Sequence, residues 1–282
     1  MNKILYSAKT IDQLMKKHGL TFQKSLGQNF LIDGNLIRSI VDLSEIKEDD
    51  LVLEIGPGLG ALTQELVKKA HFVHAVELDD RFIPILKELF VGQPVEIIHA
   101  NCLDLDYEKI FQNKALKVVA NIPYYITSPI IKRLLFSDLN ILSLSLMVQK
   151  ELAERILASP NSKEYGSLTL MIKLLAEAKS LIKAPKEVFM PRPKVDSQVV
   201  LLKPKKRREE IDYPFTLKLF QLAFQQRRKK LSNSLSHAYQ MDKAKIEDIF
   251  SSLGLDTNLR PEQLNLEEYI LLANKIKDGQ DG

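Results

Sequence analysis

The sequence predicts an α/β fold, a doubly wound and mostly parallel sheet, followed by a small C-terminal all-helical domain. Three observations carry that expectation. Apolar runs of strand length alternate with amphipathic segments from residue 51 onward, the pattern of a parallel sheet covered by helices. The first of these runs opens into a glycine-rich turn, a ligand-facing element of such sheets. Past residue 210 the alternation stops and helical spacing alone remains.

Taken in order, residues 51–55 read as the first strand, 60–70 as a helix, 72–78 as a second strand and 79–90 as a second helix. Strands are expected again at 95–100, 117–122 and 141–148, helices at 128–136 and 149–157, and a late strand at 198–202. Between 184 and 210 the texture changes. Pro185, Pro191, Pro193 and Pro204 interrupt it, and Lys203-Pro204-Lys205-Lys206-Arg207-Arg208 closes it, which marks a boundary. The expected division is one large domain over 1–205, with 1–24 as an N-terminal arm of open role, and a helical domain over 206–282. In the latter, helices are expected at 215–224, 229–239, 243–253 and 261–276, with Gly254 as a stop and Pro261 as a start.

At 282 residues and 45% hydrophobic content the chain can bury one sizeable core and one small one. A single cysteine, Cys102, excludes an internal disulfide framework and fits a reducing compartment. The first 20 residues lack the apolar core of a secretory signal, and no arginine precedes Arg38, so neither export nor mitochondrial import is expected. The most apolar stretch, 141–148, is broken by Ser143 and Ser145 and has strand length, so no membrane span is expected. A cytoplasmic monomer is the expectation.

The net charge of +4 is unevenly spread. Residues 183–230 hold 14 Lys and Arg against 5 Asp and Glu, a local +9 that leaves the rest of the chain at −5. Such asymmetry fits a polyanion partner, because phosphate neutralisation with counterion release supplies most nonspecific nucleic-acid affinity. On charge alone a solvated basic face is the alternative.

The segment Leu53-Glu54-Ile55-Gly56-Pro57-Gly58-Leu59-Gly60 is a strand running into a glycine turn and then a helix. Gly56 and Gly58 let the backbone approach a ligand and take dihedrals closed to other residues. At the end of the second strand stands Glu77, where a carboxylate meets the two hydroxyls of a bound ribose. Dinucleotide enzymes space the turn G-x-G-x-x-G, whereas here Gly60 comes one place early, and an acidic Glu54 before the turn suits an amino-acid amine better than a pyrophosphate. S-adenosyl-L-methionine is the cofactor expected. A structural turn and an NAD-dependent dehydrogenase are the competing readings.

After the fourth strand comes Asn121-Ile122-Pro123-Tyr124, at the carboxyl edge where a doubly wound sheet places its chemistry. This tetrapeptide resembles the catalytic motif of methyltransferases acting on the exocyclic amine of adenine, a poor nucleophile whose lone pair is delocalised into the ring. Acceptors on its two hydrogens, the Asn121 side-chain carbonyl and the main-chain carbonyl of Ile122 or Pro123, would draw density back to nitrogen. Tyr124 would stack on the extruded base. The bland alternative is a rigid turn with Tyr124 in the core.

With both motifs in hand, the chain resembles the small-subunit ribosomal RNA adenine N6,N6-dimethyltransferase family over almost its whole length. Leu26-Gly27-Gln28-Asn29-Phe30-Leu31 is similar to the family's N-terminal motif, Phe189-Met190-Pro191-Arg192-Pro193-Lys194-Val195-Asp196-Ser197 to its post-catalytic signature, and Gln226-Arg227-Arg228-Lys229-Lys230-Leu231 to its basic helical motif. The resemblance implies a Rossmann-like class I methyltransferase fold and dimethylation of two adjacent adenosines in a hairpin near the 3′ end of small-subunit ribosomal RNA, in an assembling subunit. It places Asn29 and the backbone of Leu31 at the methionine end of the cofactor, Gly56 at its amino-acid portion, Glu77 at its ribose, and Asn121 near both cofactor and target. It has Phe189 complete an aromatic clamp with Tyr124, and Arg227, Arg228, Lys229 and Lys230 contact RNA. From the residues alone, Gln28 and Asn29 could be a helix cap and Phe189 a packing anchor.

One position departs from the family pattern. Where an aspartate commonly follows the third strand to accept from the cofactor's adenine amine, this chain has His99-Ala100-Asn101-Cys102, with Asp104 three residues on. Asn101 accepts through its amide oxygen without the charge; Asp104 is the fallback. The five histidines form no ligand pattern, so no metal site is expected. Two other functions remain: a large-subunit methyltransferase of the macrolide-resistance type, and a non-catalytic RNA-binding assembly factor.

Overall fold

The computed structural model describes residues 4–23, 27–123 and 126–281. Two motif residues of the sequence reading, Leu26 and Tyr124, lie outside them.

The N-terminal segment is structured where it is described, which corrects the expectation of an arm. Ser7 caps helix α1 (Ala8–Lys17), its hydroxyl accepting from the Thr10 N–H at 3.1 Å. Ile11, Leu14 and Met15 share one face and are buried with Phe30, Phe82 and Phe90. Ahead of α1, the Leu5 N–H donates to Gln64 Oε1 at 3.0 Å and the Tyr6 hydroxyl to Glu65 Oε1 at 3.2 Å. The two-residue strand β1 (Phe30–Leu31) follows, then α2 (Gly34–Leu43), whose cap is Asp33.

The alternation then runs β2 (Leu51–Ile55), α3 (Thr63–Leu66), β3 (Phe72–Glu77), α4 (Ile83–Leu89), β4 (Val95–His99), α5 (Tyr107–Phe111), β5 (Leu116–Asn121), α6 (Thr127–Phe136) and β6 (Ile141–Gln149). After α7 (Lys150–Leu157) and α8 (Ser167–Leu175) come β7 (Ala176–Ala184), β8 (Phe189–Met190) and β9 (Ser197–Pro204). Seven strands form one sheet in the order β4-β3-β2-β5-β6-β9-β7. Strands β2 to β6 pair in parallel, and β9 closes antiparallel on β6. Val52, Leu53, Val118 and Val119 are buried, as expected of central parallel strands covered on both faces.

This order positions the site. From β2 the chain moves one way through β3 to β4 and then returns to β5 on the other flank of β2, so the winding reverses between β2 and β5. A doubly wound sheet opens its ligand crevice at the carboxyl ends flanking such a reversal. Ile55 is in register with Ala120, which brings Gly56 beside Asn121.

Around the sheet, further elements differ from the sequence expectation. The helix expected over 60–70 shrinks to α3, with turns on both sides of it. Strand β7 was not foreseen: Glu177, Lys179 and Lys183 break its apolar pattern, and it ends the strand order, where charge is tolerated and discourages edge pairing.

The chain divides into two compact units, residues 1–153 with 179–204 and residues 154–178 with 205–282. Residues 154–178 therefore leave the first domain to which the sequence assigned them. In the second unit, α8 packs on α9 (Tyr213–Gln225), and Tyr165 lies edge-on to Phe224 with centroids 6.2 Å apart. Buried phenols fasten the unit: the Tyr165 hydroxyl donates to the Leu264 carbonyl at 3.0 Å and the Tyr269 hydroxyl to that of Pro261 at 2.7 Å. Helices α10 (Leu231–Tyr239), α11 (Lys243–Ser252) and α12 (Leu266–Asp281) complete it. Helix α10 begins after Lys229 and Lys230, and the helix expected from 261 is a 3-10 turn, Pro261–Gln263, ahead of α12.

Candidate active site

A cavity of about 280 Å³ opens at the carboxyl ends of β2, β3 and β5, close to the lower end of the range for small-molecule sites. The glycine turn forms its floor. Gly56 and Gly58 both hold left-handed backbone, φ +73° and +57°. A Cβ on Gly58 would stand 2.8 Å from the Phe30 ring, so that side chain must be absent for the walls to meet as they do, whereas one on Gly56 would only reach contact with the Asn121 carbonyl oxygen at 3.4 Å and is disfavoured there by the backbone conformation.

Two carboxylates line the cavity in different ways. Glu77 accepts from the Gly58 N–H and the Asp79 N–H, each at 2.9 Å. Burial raises its carboxyl above the ordinary value, and those two amides pull against the rise. Glu54 is 1% exposed, and neither of its oxygens has a hydrogen-bond partner. Burial pushes the Glu54 carboxyl up to about 8, against an opposing pull from neighbouring Thr63, whose hydroxyl and N–H lie close without meeting hydrogen-bond geometry, and with the nearby Glu77 charge adding to the rise. Glu54 borders the cavity, and an orphaned buried carboxyl is ready for a cationic partner.

Asn121 ends β5 at the reversal of the sheet, and its Nδ2 donates to the Asn29 main-chain carbonyl at 3.2 Å. Asn29 in turn donates through Nδ2 to the Gly27 carbonyl at 2.9 Å. Asn29, Leu31, Gly56, Gly58, Glu77 and Asn101 all border the same cavity as Asn121, with Ile122 and Pro123 beside it. The structure thus brings together every described residue that the sequence reading assigned to the cofactor. The cap reading of Gln28 and Asn29 is not met, since Asp33 caps the following helix and Gln28 Nε2 donates to Asp79 at 2.7 Å.

Phe189 is not brought to the cavity. It pairs with Leu31 across β1 and β8, is 3% exposed and belongs to the core with Ile37, Val52 and Val199. The apolar ring gains more from that burial than it would from projecting into a wet crevice. Tyr124, the other member of the expected clamp, lies outside the described residues. Asn101 borders the cavity, but both ends of its amide are engaged: Oδ1 accepts from the Leu103 N–H at 3.1 Å and Nδ2 donates to Asp104 at 2.6 Å. Asp104, the fallback, is exposed and does not line the cavity. Phe82, Leu78 and Ile126 also border it and went unread, because apolar lining carries no motif.

In the second unit the basic segment is not uniform. Arg227 donates from Nη2 to the Ser162 carbonyl at 2.8 Å and from Nη1 to that of Lys163, with Nε 3.6 Å from a Glu262 carboxylate oxygen. Lys230 donates to Asn258 Oδ1. Arg228 and Lys229 are exposed. Among the described residues, no helix is long and apolar enough to cross a membrane.

The chain is similar to known proteins over nearly its full length. The sequence profile of the family described as ribosomal RNA adenine dimethylase matches residues 19–278. A ribosomal RNA small subunit methyltransferase A of Shouchella clausii is 42% identical, covering 98% of this chain and 97% of that protein; the one from Alkaliphilus oremlandii is 41% identical, covering 96% and 97%. Among solved structures, a dimethyladenosine transferase from Plasmodium falciparum matches with a TM-score of 0.78 at 26% identity, covering 89% of this chain and 98% of that one. The 23S rRNA methyltransferase ErmE matches at 0.68 and 26%, covering 88% and 99%. The cavity at the reversal of the sheet, the acceptor side chain at the end of β5 and these relationships lead to one conclusion: the chain belongs to the ribosomal RNA adenine dimethylase family.

Proposed function

We propose that the chain dimethylates the exocyclic amine of two adjacent adenosines in a hairpin near the 3′ end of small-subunit ribosomal RNA, in an assembling subunit, with S-adenosyl-L-methionine as cofactor. The observation that carries the reading is Asn121, whose Nδ2 is committed to the Asn29 carbonyl and whose Oδ1 is thereby left to accept. When bound, the cofactor supplies a methyl group already activated on a sulfonium centre.

The cavity suits that cofactor. Glu54, buried with both oxygens unpartnered, takes the amine of its amino-acid end. Gly56 and Gly58 leave room for the chain to lie against backbone, with Asn29 and the backbone of Leu31 beside it. Glu77 accepts from the ribose hydroxyls. Asn101 receives the adenine amine on Oδ1, whose second lone pair is open beside the Leu103 N–H.

At the target, Asn121 Oδ1 accepts one hydrogen of the adenine amine. The Pro123 carbonyl already receives the Ile126 N–H at 3.2 Å and the Thr127 hydroxyl at 3.4 Å, so the Ile122 carbonyl takes the other. Two acceptors on the amine return electron density to nitrogen as it attacks, and the proton released afterwards leaves to solvent. Tyr124, by family resemblance, stacks on the extruded base. The whole arrangement acts by positioning, which suffices where the leaving group is built into the cofactor.

The test is methyl transfer from labelled S-adenosylmethionine to small subunits lacking the modification, with large subunits in parallel and Asn121→Ala as control. Dimethyladenosine on small subunits alone, lost in the variant, supports the reading. Label on large subunits alone moves the protein to the ErmE-like activity, and no label despite cofactor binding leaves a binding factor.

A further inference from the structure

Asp79 is a buried carboxylate, 5% exposed, that does not border the cavity yet touches two parts of its wall. Arg81 grips it in fork fashion, Nε to Oδ1 at 2.7 Å and Nη2 to Oδ2 at 2.5 Å, and the Arg81 N–H adds a bond to Oδ1 at 3.2 Å. Gln28 Nε2 donates to Oδ2 at 2.7 Å from 51 positions earlier in the chain. Gln28 borders the cavity, and its Oε1 accepts from the Gln23 N–H at 3.0 Å. Arg81 Nη1 reaches the Thr21 carbonyl at 3.5 Å. In the other direction, the Asp79 N–H donates to Glu77 Oε1.

A buried charge is retained only when it is fully paired, and this one spends a lone pair on a residue of the cavity wall. Thr21, Gln23 and Gln28 belong to no helix or strand, and each is held by one of these side-chain bonds. A wall ordered beforehand spares that ordering entropy when a ligand binds.

We infer that Asp79 is a positioning residue for cofactor binding, holding the N-terminal wall of the cavity through Gln28 and the Glu77 carboxylate through its own N–H. The inference rests on the reading of this cavity as the S-adenosylmethionine site. Asp79→Asn keeps the shape and the N–H but removes the charge and turns a donor toward Arg81 or Gln28. A lost charge-assisted bond of this kind corresponds to about a tenfold weaker cofactor, seen in KM and in calorimetric Kd, with kcat at saturating cofactor within about threefold. Gln28→Ala should weaken binding as well, and the double variant should bind no worse than Asp79→Asn alone, because both cut one link.

The experiment measures S-adenosylmethionine binding, methyl transfer and backbone hydrogen exchange over residues 19–30 for the wild type, both single variants and the double variant. Weaker binding with preserved kcat, non-additive in the double variant and accompanied by faster exchange over 19–30, supports the inference. Wild-type binding that Asp79→Asn leaves unchanged, or fully additive losses, overturns it while leaving the cofactor reading intact. A wild type that does not bind S-adenosylmethionine removes the reading and the inference together. Should Asp79→Asn lose its cooperative melting, Gln28→Ala decides, since it leaves the Asp79–Arg81 pair whole: wild-type exchange over 19–30 in that variant overturns the proposal.

Discussion

The side-chain amide of Asn121 donates to the main-chain carbonyl of Asn29 at 3.2 Å, tying the end of β5 to a segment 92 positions earlier. With that nitrogen held on a carbonyl, the oxygen is the end of the amide left to accept. It also joins the residue expected to act on the target amine to a residue expected to touch the cofactor.

Removing that side chain should therefore affect transfer more than cofactor affinity. Asn121→Ala is expected to lower kcat about 10²- to 10³-fold, the loss typical of a preorganised polar group aimed at developing charge. Its S-adenosylmethionine Kd should change far less. Single-turnover transfer and calorimetric binding on the same preparation separate the two; equal losses in both would make Asn121 a cofactor residue first.

Gly58 and Gly92 allow steric and backbone effects to be told apart. Both hold left-handed backbone, φ +57° and +74°, but a Cβ on Gly92 would meet nothing within 4 Å, whereas on Gly58 it would press on Phe30 at 2.8 Å. Phe30 has little room to yield, with Phe22 and Phe82 each 5.7 Å from its centroid. Gly92→Ala should cost about 1–2 kcal/mol of stability, from the left-handed conformation alone. Gly58→Ala should cost about 1–3 kcal/mol more through overpacking, and should weaken S-adenosylmethionine binding, which Gly92→Ala leaves alone. Thermal melting and binding of both variants check the contrast.

Glu54 predicts a pH dependence. Its carboxyl is lifted by burial from 4.5 to about 8, so the native protein keeps a proton that the unfolded chain has released. The contribution of Glu54 to stability is full below about pH 4.5 and is lost as pH rises toward about 8. Glu54→Gln, which cannot ionise, should remove that slope from the difference in melting temperature. A bound ammonium would draw Glu54 to its charged form, so binding of S-adenosylmethionine at neutral pH should release up to about one proton, and none in Glu54→Gln. Calorimetry in buffers of different ionisation enthalpy reads it.

Much of this site could be read from sequence because its residues sit on elements with local signatures. The glycine turn, Glu77 and Asn121 each follow a strand whose apolar run is plain, and the parallel winding converges those strand ends. What escaped reading depends on distant partners. Helix α1 offers only Ile11, Leu14 and Met15 as an apolar face, and its burial comes from Phe30, Phe82 and Phe90. Phe189 sits in a proline-rich loop by sequence, yet one residue of pairing with Leu31 turns it into the core. The bond from Gln28 to Asp79 spans 51 positions and matches no local pattern. Residues 154–178 lie between strands of the sheet in sequence while packing with helices that come later, a detour periodicity does not encode.

The basic segment Gln226-Arg227-Arg228-Lys229-Lys230-Leu231 is the last place where structure sharpens the sequence. Read as charge, its four cations are equivalent contacts for RNA. The Arg227 guanidinium, however, is occupied within its own unit by the Ser162 and Lys163 carbonyls and the Glu262 carboxylate. Arg228 and Lys229 present their charges to solvent. Arg228→Ala and Lys229→Ala should each flatten the slope of log K against log salt by about 0.7–0.9 for RNA binding, with the melting temperature unchanged. Arg227→Ala should leave that slope in place and lower stability by about 1–3 kcal/mol, because two carbonyls and a carboxylate lose their donor together. A salt titration of binding and a melting curve for each variant suffice. If Arg227→Ala instead flattens the slope while melting like the wild type, the guanidinium leaves its carbonyls for phosphate when RNA binds, and the division of labour within the segment is wrong.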